Sequence, residues 1–202
     1  MVRLGELSFR LESNLAPDPR FIQFTNQSSS MLFPLLQPDL VLGSSVLDLT
    51  PEILARYKIE GLVLDVDDTI VPIGVGFAEP ELILWIEQTR QIVPLWLVTN
   101  NPSHARIGAI ADSLSLPYFL SAAKPSRKKL RQAVRAMSKE PARVAMVGDR
   151  VFTDVLAGNR LGMFTILIEP IVSADTTVGF SLLRSIEFAI AKILGVSFTT
   201  LK

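Results

Sequence analysis

Three aspartates and a threonine close the apolar run of GLVLDVDDTIVP, residues 61–72: Asp65, Asp67, Asp68 and Thr69. So much negative charge at the end of a buried strand is costly unless something cationic meets it. Three later stretches end in a related way. LVTNN brings Thr99, Asn100 and Asn101, AAKPS brings Lys124, and VGDRVFTD brings Asp149 and Asp154. Gathered at one edge, these residues offer oxygen ligands that suit a hard divalent cation such as magnesium. With Lys124 as a second cation they also make a place for a phosphate. The chemistry open to such a set is phosphoryl transfer. One carboxylate can attack phosphorus and form an aspartyl-phosphate. A second, two residues on, can protonate the leaving alkoxide and later take a proton from water. A hydroxyl, amide donors, a lysine and the metal can hold the remaining phosphoryl oxygens.

Those residues need elements that bring them together. GLVLDV, VPLWLVTNN, PYFLSAAKP, ARVAMVGDR and MFTILIEPI read as buried strands. Between them AEPELILWIEQTRQI, SHARIGAIADSLSL, SRKKLRQAVRAMSKE and VFTDVLAGNRLG read as helices. Ser103 and Ser126 are the expected caps, and Gly162 the expected stop. TPEILARYKI precedes the first strand, with Thr50 at the cap and proline at the first helical position. GFSLLRSIEFAIAKILG closes the chain as an amphipathic helix. Its stripe of Leu182, Leu183, Ile186, Ala189, Ile190 and Ile193 is expected to pack on a sheet, with a helix lying on a membrane as the minority reading because its polar face carries little positive charge. The alternation predicts an α/β fold, a Rossmann-like parallel sheet of about five strands with helices on both faces. A sheet of that kind carries its site at the carboxyl ends of the strands, which is where the polar residues fall. Residues 70–78 and 100–123 leave no room for a separate cap domain. Residues 1–30, with APDP and TNQSSS, read as an N-terminal extension, and 31–202 as one domain.

Composition removes several alternatives. The 202 residues hold 20 Lys plus Arg, 20 Asp plus Glu, no Cys and one His. The balance of charge argues against a nucleic-acid partner. The lack of cysteine excludes a disulfide framework, a thiolate zinc site and a cysteine nucleophile, and it fits a reducing compartment of the cytoplasmic or stromal type. A lone histidine rules out a polyhistidine zinc site, and His104 is expected as an exposed helix residue. The stretch MVRLGELSFRLESNLAPDPR has no continuous apolar segment and reads as neither a secretory signal nor a transit peptide. No apolar run reaches about 18 residues, so no spanning helix is predicted. The stretch from Arg127 through Lys128, Lys129 and Arg131 to Arg135 is basic. It reads either as a solvated face or as a contact for anionic lipid or a second phosphate. Any membrane contact is therefore expected to be peripheral.

The four polar stretches, in their order, resemble the signature of the haloacid dehalogenase superfamily of phosphatases. Its D-x-D-x-T is matched by DVDDT, its strand-end Thr or Ser by LVTNN, its Lys by AAKPS and its G-D-x4-D by GDRVFTD. The resemblance spans residues 60–170. It implies Asp65 as the nucleophile and Asp67 as the general acid and base. It implies Thr99, Asn100 and Lys124 as binders of the substrate. Mg2+ would be held by Asp65, the backbone carbonyl of Asp67 and Asp149, with Asp154 behind it orienting Lys124 or a water on the metal. Asp68 and Thr69 would shape the turn; the family often has Asn where this chain has Asp68.

The short connections place the chain nearest the capless subclass IIIA. TNN, AAKP and GNRLGMFTILIEPI are similar to its phosphatidylglycerophosphate phosphatase branch. That similarity implies a phospholipid substrate, phosphatidylglycerophosphate, converted to phosphatidylglycerol at an open site. Two readings stay beside it: the same chemistry on a soluble sugar phosphate or nucleotide, and a non-catalytic scaffold of the same fold. A receiver-type signalling domain is disfavoured, because receivers carry their acidic pair before the phosphorylated aspartate and this chain carries it last.

Overall fold

The computed structural model describes residues 33–171 and, toward the C-terminus, 185–187, 189–190, 192–193 and 195–198. The expected extension over residues 1–30 lies outside the described residues.

Six parallel strands form one sheet: β1 (Leu40–Val41), β2 (Gly61–Leu64), β3 (Leu95–Val98), β4 (Tyr118–Phe119), β5 (Val144–Gly148) and β6 (Phe164–Leu167). Their order across the sheet is β1-β6-β5-β2-β3-β4. The five expected strands are there. The sixth, β1, pairs Leu40 with Ile166 at one edge. Two residues are too few to show any period, so a strand of that length is invisible to pattern reading.

All four residues of β2 are buried, because helices cover the sheet on both sides. On one face, Leu62, Leu64 and Leu97 pack with Ile86 of α3 (Pro80–Arg90) and Ile107 of α4 (His104–Leu114). On the other, Val63, Val98 and Met146 pack with Leu130 of α5 (Lys128–Ala136) and Ala157 of α6 (Leu156–Leu161). Alternate residues of one strand thus feed two cores, which is why β2 reads as a continuous apolar run. Among the described residues no helix is long and apolar enough to cross a membrane.

The helix starts follow their chemistry. Ser103 caps α4, its side chain accepting from the Arg106 N–H. Gly162 ends α6 at φ 78°, a left-handed position that suits glycine. Ser126, expected to cap α5, stands one residue too early. The cap position belongs to Arg127, while the Ser126 hydroxyl takes the Lys128 N–H at 3.4 Å. The helix expected after β5 begins with a π-helical turn, Val151–Val155.

The C-terminal helix corrects its expectation. Its described residues are helical, but Ile186, Ile190 and Ile193 are 46%, 42% and 84% exposed. Among the described residues of this helix the buried charged one is Glu187, which pairs with Arg150. Leu182 and Leu183 lie outside the described residues.

Candidate active site

The register makes the site. Leu64 lies beside Leu97 of β3 and Val147 of β5. The next residues of all three strands therefore leave the sheet at one edge, carrying Asp65, Thr99 and Asp149 with them. Lys124 arrives at the same edge from the loop after β4.

The floor of the site is a buried charged cluster. Lys124 Nζ lies 2.9 Å from Asp65 Oδ1 and 2.6 Å from Asp154 Oδ1. Asp65, Lys124, Asp149 and Asp154 are all buried. The Val66 N–H donates to Asp65 Oδ1 at 2.8 Å. The π-helical turn brings Asp154 back over the end of β5, where its Oδ2 accepts from the Arg150 N–H and the Thr153 hydroxyl, each at 3.3 Å. Gly148 makes this possible: a Cβ there would lie 2.4 Å from Asp154 Cγ. Extra turns of this π type recur at functional sites.

Burial pushes the Asp65 carboxyl up to about 6, against the pull of Lys124 and helped by the neighbouring Asp154 charge. Burial also works against the Lys124 ammonium, but Asp154 and Asp65 more than offset it, and its pKa is raised. The lysine therefore stays charged.

One ammonium does not balance the cluster. Asp65, Asp149 and Asp154 each offer a ligand oxygen, and these atoms lie within 4.8 Å of one another. Three carboxylates meet one buried lysine, with Arg150 acting on Asp149 and Asp154 from nearby, and all the donors are hard oxygens. That set fits a divalent cation of the magnesium kind and would not suit a soft metal. Thr69, fully buried, donates to Asp149 Oδ1 at 3.4 Å and joins the motif's turn to the acidic pair.

The turn itself is shaped by Asp68. It sits at φ 57°, a left-handed position that aspartate and asparagine tolerate better than most residues. Its Oδ1 accepts the Ile73 N–H at 3.0 Å. This explains in local terms how Asp serves where Asn is common.

Asp67 stands at the rim, its side chain 20% exposed. Asn101 Nδ2 donates to its Oδ2 at 2.9 Å, and Arg106 Nη1 to its Oδ1 at 2.5 Å. Thr99 is buried at the end of β3, and its hydroxyl accepts the Asn101 N–H at 3.1 Å. Asn100 spends both ends of its side-chain amide on the main chain of one residue: Oδ1 accepts the Lys124 N–H at 2.6 Å, and Nδ2 donates to the Lys124 carbonyl at 3.1 Å. His104 is exposed, as expected, with Nε2 3.2 Å from the Tyr118 hydroxyl.

Sequence reasoning named Asp65, Asp67, Thr99, Asn100, Lys124, Asp149 and Asp154, and the structure brings all seven to one sheet edge. It missed Arg106. A signal was present: a cation in the first turn of a helix opposes the helix dipole and wants a partner.

Residues 121–176 match a family model described as HAD-hydrolase-like. The chain is 34% identical over 132 residues to Probable phosphatase YqeG of Bacillus subtilis (strain 168), covering 65% of this chain and 76% of that protein. It is 34% identical over 89 residues to Chronophin of Homo sapiens, covering 44% of this chain and 30% of that one. It is 24% identical over 156 residues to Phosphatidylglycerophosphate phosphatase 1, chloroplastic/mitochondrial, of Arabidopsis thaliana, covering 70% and 43%. The chain thus spans about three quarters of the Bacillus protein and less than half of the other two.

Proposed function

The chain belongs to the haloacid dehalogenase-like phosphatases, and on that premise we propose that it hydrolyses a phosphomonoester, phosphatidylglycerophosphate, through an aspartyl-phosphate. The observation that carries the chemistry is the buried cluster of Asp65, Lys124, Asp149 and Asp154. It joins a nucleophile, a fixed cation and a surplus of oxygen ligands in one place.

The steps balance with these residues. An Asp65 carboxylate oxygen attacks phosphorus and the ester P–O bond breaks. The leaving alkoxide takes the proton that Asp67 carries when it starts the cycle in its acid form, and the proton taken from water in the second step restores that form. Water then attacks the phosphorus of the aspartyl-phosphate as Asp67 removes its proton, the P–O bond to Asp65 breaks, and inorganic phosphate leaves. Lys124 and the Thr99 hydroxyl hold oxygens of the transferring group. Asn100 acts by clamping the Lys124 main chain, which keeps the ammonium on the floor. Asp154 fixes that ammonium from the other side. Asp65, the Asp67 carbonyl and Asp149 would hold Mg2+, which when bound offsets charge on the transferring phosphoryl group.

The lipid substrate rests on three supports. The connections leave the site open. The likeness to the Arabidopsis protein reaches over most of this chain. The third is α5 with its flanks: residues 127–139 hold six basic side chains and no acidic one. Arg127, Lys128, Arg131 and Arg135 sit within or just before a helix that starts beside the site loop. That face suits an anionic bilayer and makes peripheral contact the expected mode.

The test is phosphate release with Mg2+ from phosphatidylglycerophosphate in mixed micelles, beside soluble sugar phosphates and nucleotides, with Asp65→Asn as the blank. Preference for the lipid is expected. Preference for a soluble ester would keep the chemistry and overturn the substrate. No release from any of them would return the chain to a scaffold.

A further inference from the structure

We infer that Arg106 is a positioning residue for Asp67, and that it ties the placement of the acid–base group to the backbone of residues 72–75. This rests on the acid–base reading of Asp67 given above.

The guanidinium is spread over three partners. Nη1 reaches Asp67 Oδ1 at 2.5 Å, Nε reaches the Val75 carbonyl at 2.7 Å, and Nη2 reaches the Pro72 carbonyl at 3.0 Å. Its own main chain is fixed, because the Ser103 cap accepts the Arg106 N–H at 3.3 Å. The planar fork can point donors in three directions at once; a lysine ammonium on a flexible stem cannot cover that spread.

The other Asp67 oxygen is set independently. Asn101 Nδ2 donates to it, and Asn101 Oδ1 accepts the Ser103 N–H at 2.9 Å. The carboxylate is thus held in one orientation by two groups from the start of α4. The segment that Arg106 grips follows directly from the motif's turn. Its outer side chains Ile73 and Phe77 are 39% and 61% exposed. The residue that aims the acid also fixes the backbone that flanks it.

A proton donor matters in proportion to how poor the leaving group is. An alkoxide needs the proton at once, whereas p-nitrophenolate departs without one. The same group later serves as base when water attacks the aspartyl-phosphate, a step common to all esters, so the contrast lies in kcat/KM, which reports only as far as loss of the leaving group: a residue that acts by aiming Asp67 must lower kcat/KM for alkyl esters and hardly at all for p-nitrophenyl phosphate. A residue that only braces the fold would affect both alike.

The experiment measures kcat/KM on an alkyl phosphomonoester and on p-nitrophenyl phosphate for the wild type, Arg106→Gln, Arg106→Lys, Asp67→Asn and the Arg106→Gln/Asp67→Asn double variant. Circular dichroism melting accompanies each. We expect Arg106→Gln to lower kcat/KM for the alkyl ester about a hundredfold, the low end for general acid catalysis, and kcat/KM for p-nitrophenyl phosphate less than about threefold. Arg106→Lys should recover only part of the loss. In the Asp67→Asn background Arg106→Gln should cost nothing further. Equal losses on both substrates, or full additivity in the double variant, would overturn the inference while leaving the phosphatase reading intact. Where Arg106→Gln does not fold, Asn101→Ala must show the same leaving-group dependence, and a uniform loss there counts against the inference. A wild type inactive on both esters would defeat the phosphatase reading and this inference with it.

Discussion

Asp65 and Asp67 are two residues apart and live in opposite settings. Asp65 lies on a floor where it shares one buried lysine with Asp154 and where Asp149 adds further charge. Asp67 lies on a rim with an arginine of its own, an amide on its second oxygen and a fifth of its side chain in contact with solvent. The floor is over-supplied with carboxylates, and the rim is balanced. A nucleophile and metal ligand is served by the first arrangement, because the excess charge is what draws a cation. A group that must exchange protons with alcohol and water is served by the second, because it is aimed and reachable. The same side chain takes two roles because its surroundings differ.

The sharpest way to break this contrast is to remove the floor's nucleophile. Asp65→Asn should lower turnover at least about a thousandfold on every phosphomonoester, read as phosphate release. Alteration of the rim should be smaller and selective. Asp67→Asn should cost about a hundredfold or more on alkyl esters, with phosphoryl-enzyme from a good leaving group visible by intact-mass spectrometry.

A third test separates floor from rim by stability. The Asp65 carboxyl is raised from 3.8 to about 6 in the folded chain. Below about pH 4 it is protonated in both states and contributes no difference. As pH rises through the window from about 4 to about 6, the unfolded chain gives up the proton first and the folded state loses stability relative to it. Metal-free protein should therefore lose on the order of 2–3 kcal/mol across that window relative to Asp65→Asn, measured by urea unfolding. Added Mg2+ should reverse the loss in the wild type. A parallel pair of curves would defeat the account of the floor. The smallest effect expected is Gly148→Ala. The added methyl meets Asp154 and should cost about 1–3 kcal/mol, with weaker response to Mg2+ and no change in leaving-group preference.

The floor was legible in the sequence and much of the rim was not. Asp65, Thr99, Lys124, Asp149 and Asp154 each end an apolar run or follow one closely, so strand pattern and motif spacing locate them together. Arg106 touches Asp67, Pro72 and Val75 across 39, 34 and 31 residues. No local period encodes a contact of that reach; only the chemistry of a cation at a helix start hints at it. Asn100 was legible as a site residue, but its engagement with the Lys124 main chain depends on how two loops meet. The π-helical turn escaped notice because one extra residue in a turn leaves the apolar pattern nearly unchanged. The outward isoleucines of the last helix were misread because an apolar stripe does not say which contact, such as the buried pair of Glu187 with Arg150, lies on the inner side.

The run from Arg127 to Lys139 has a further consequence. The chain is neutral by count, so the remainder carries an excess of six acidic groups. Charge clustered in this way gives the molecule a basic patch despite zero net charge. In the field of a charged surface such a protein turns before it touches, and it does so over a distance set by the Debye length, about 10 Å at 0.1 M salt. Its isoelectric point would forecast indifference to a cation exchanger, whereas its orientation forecasts retention at low ionic strength and release as salt is added.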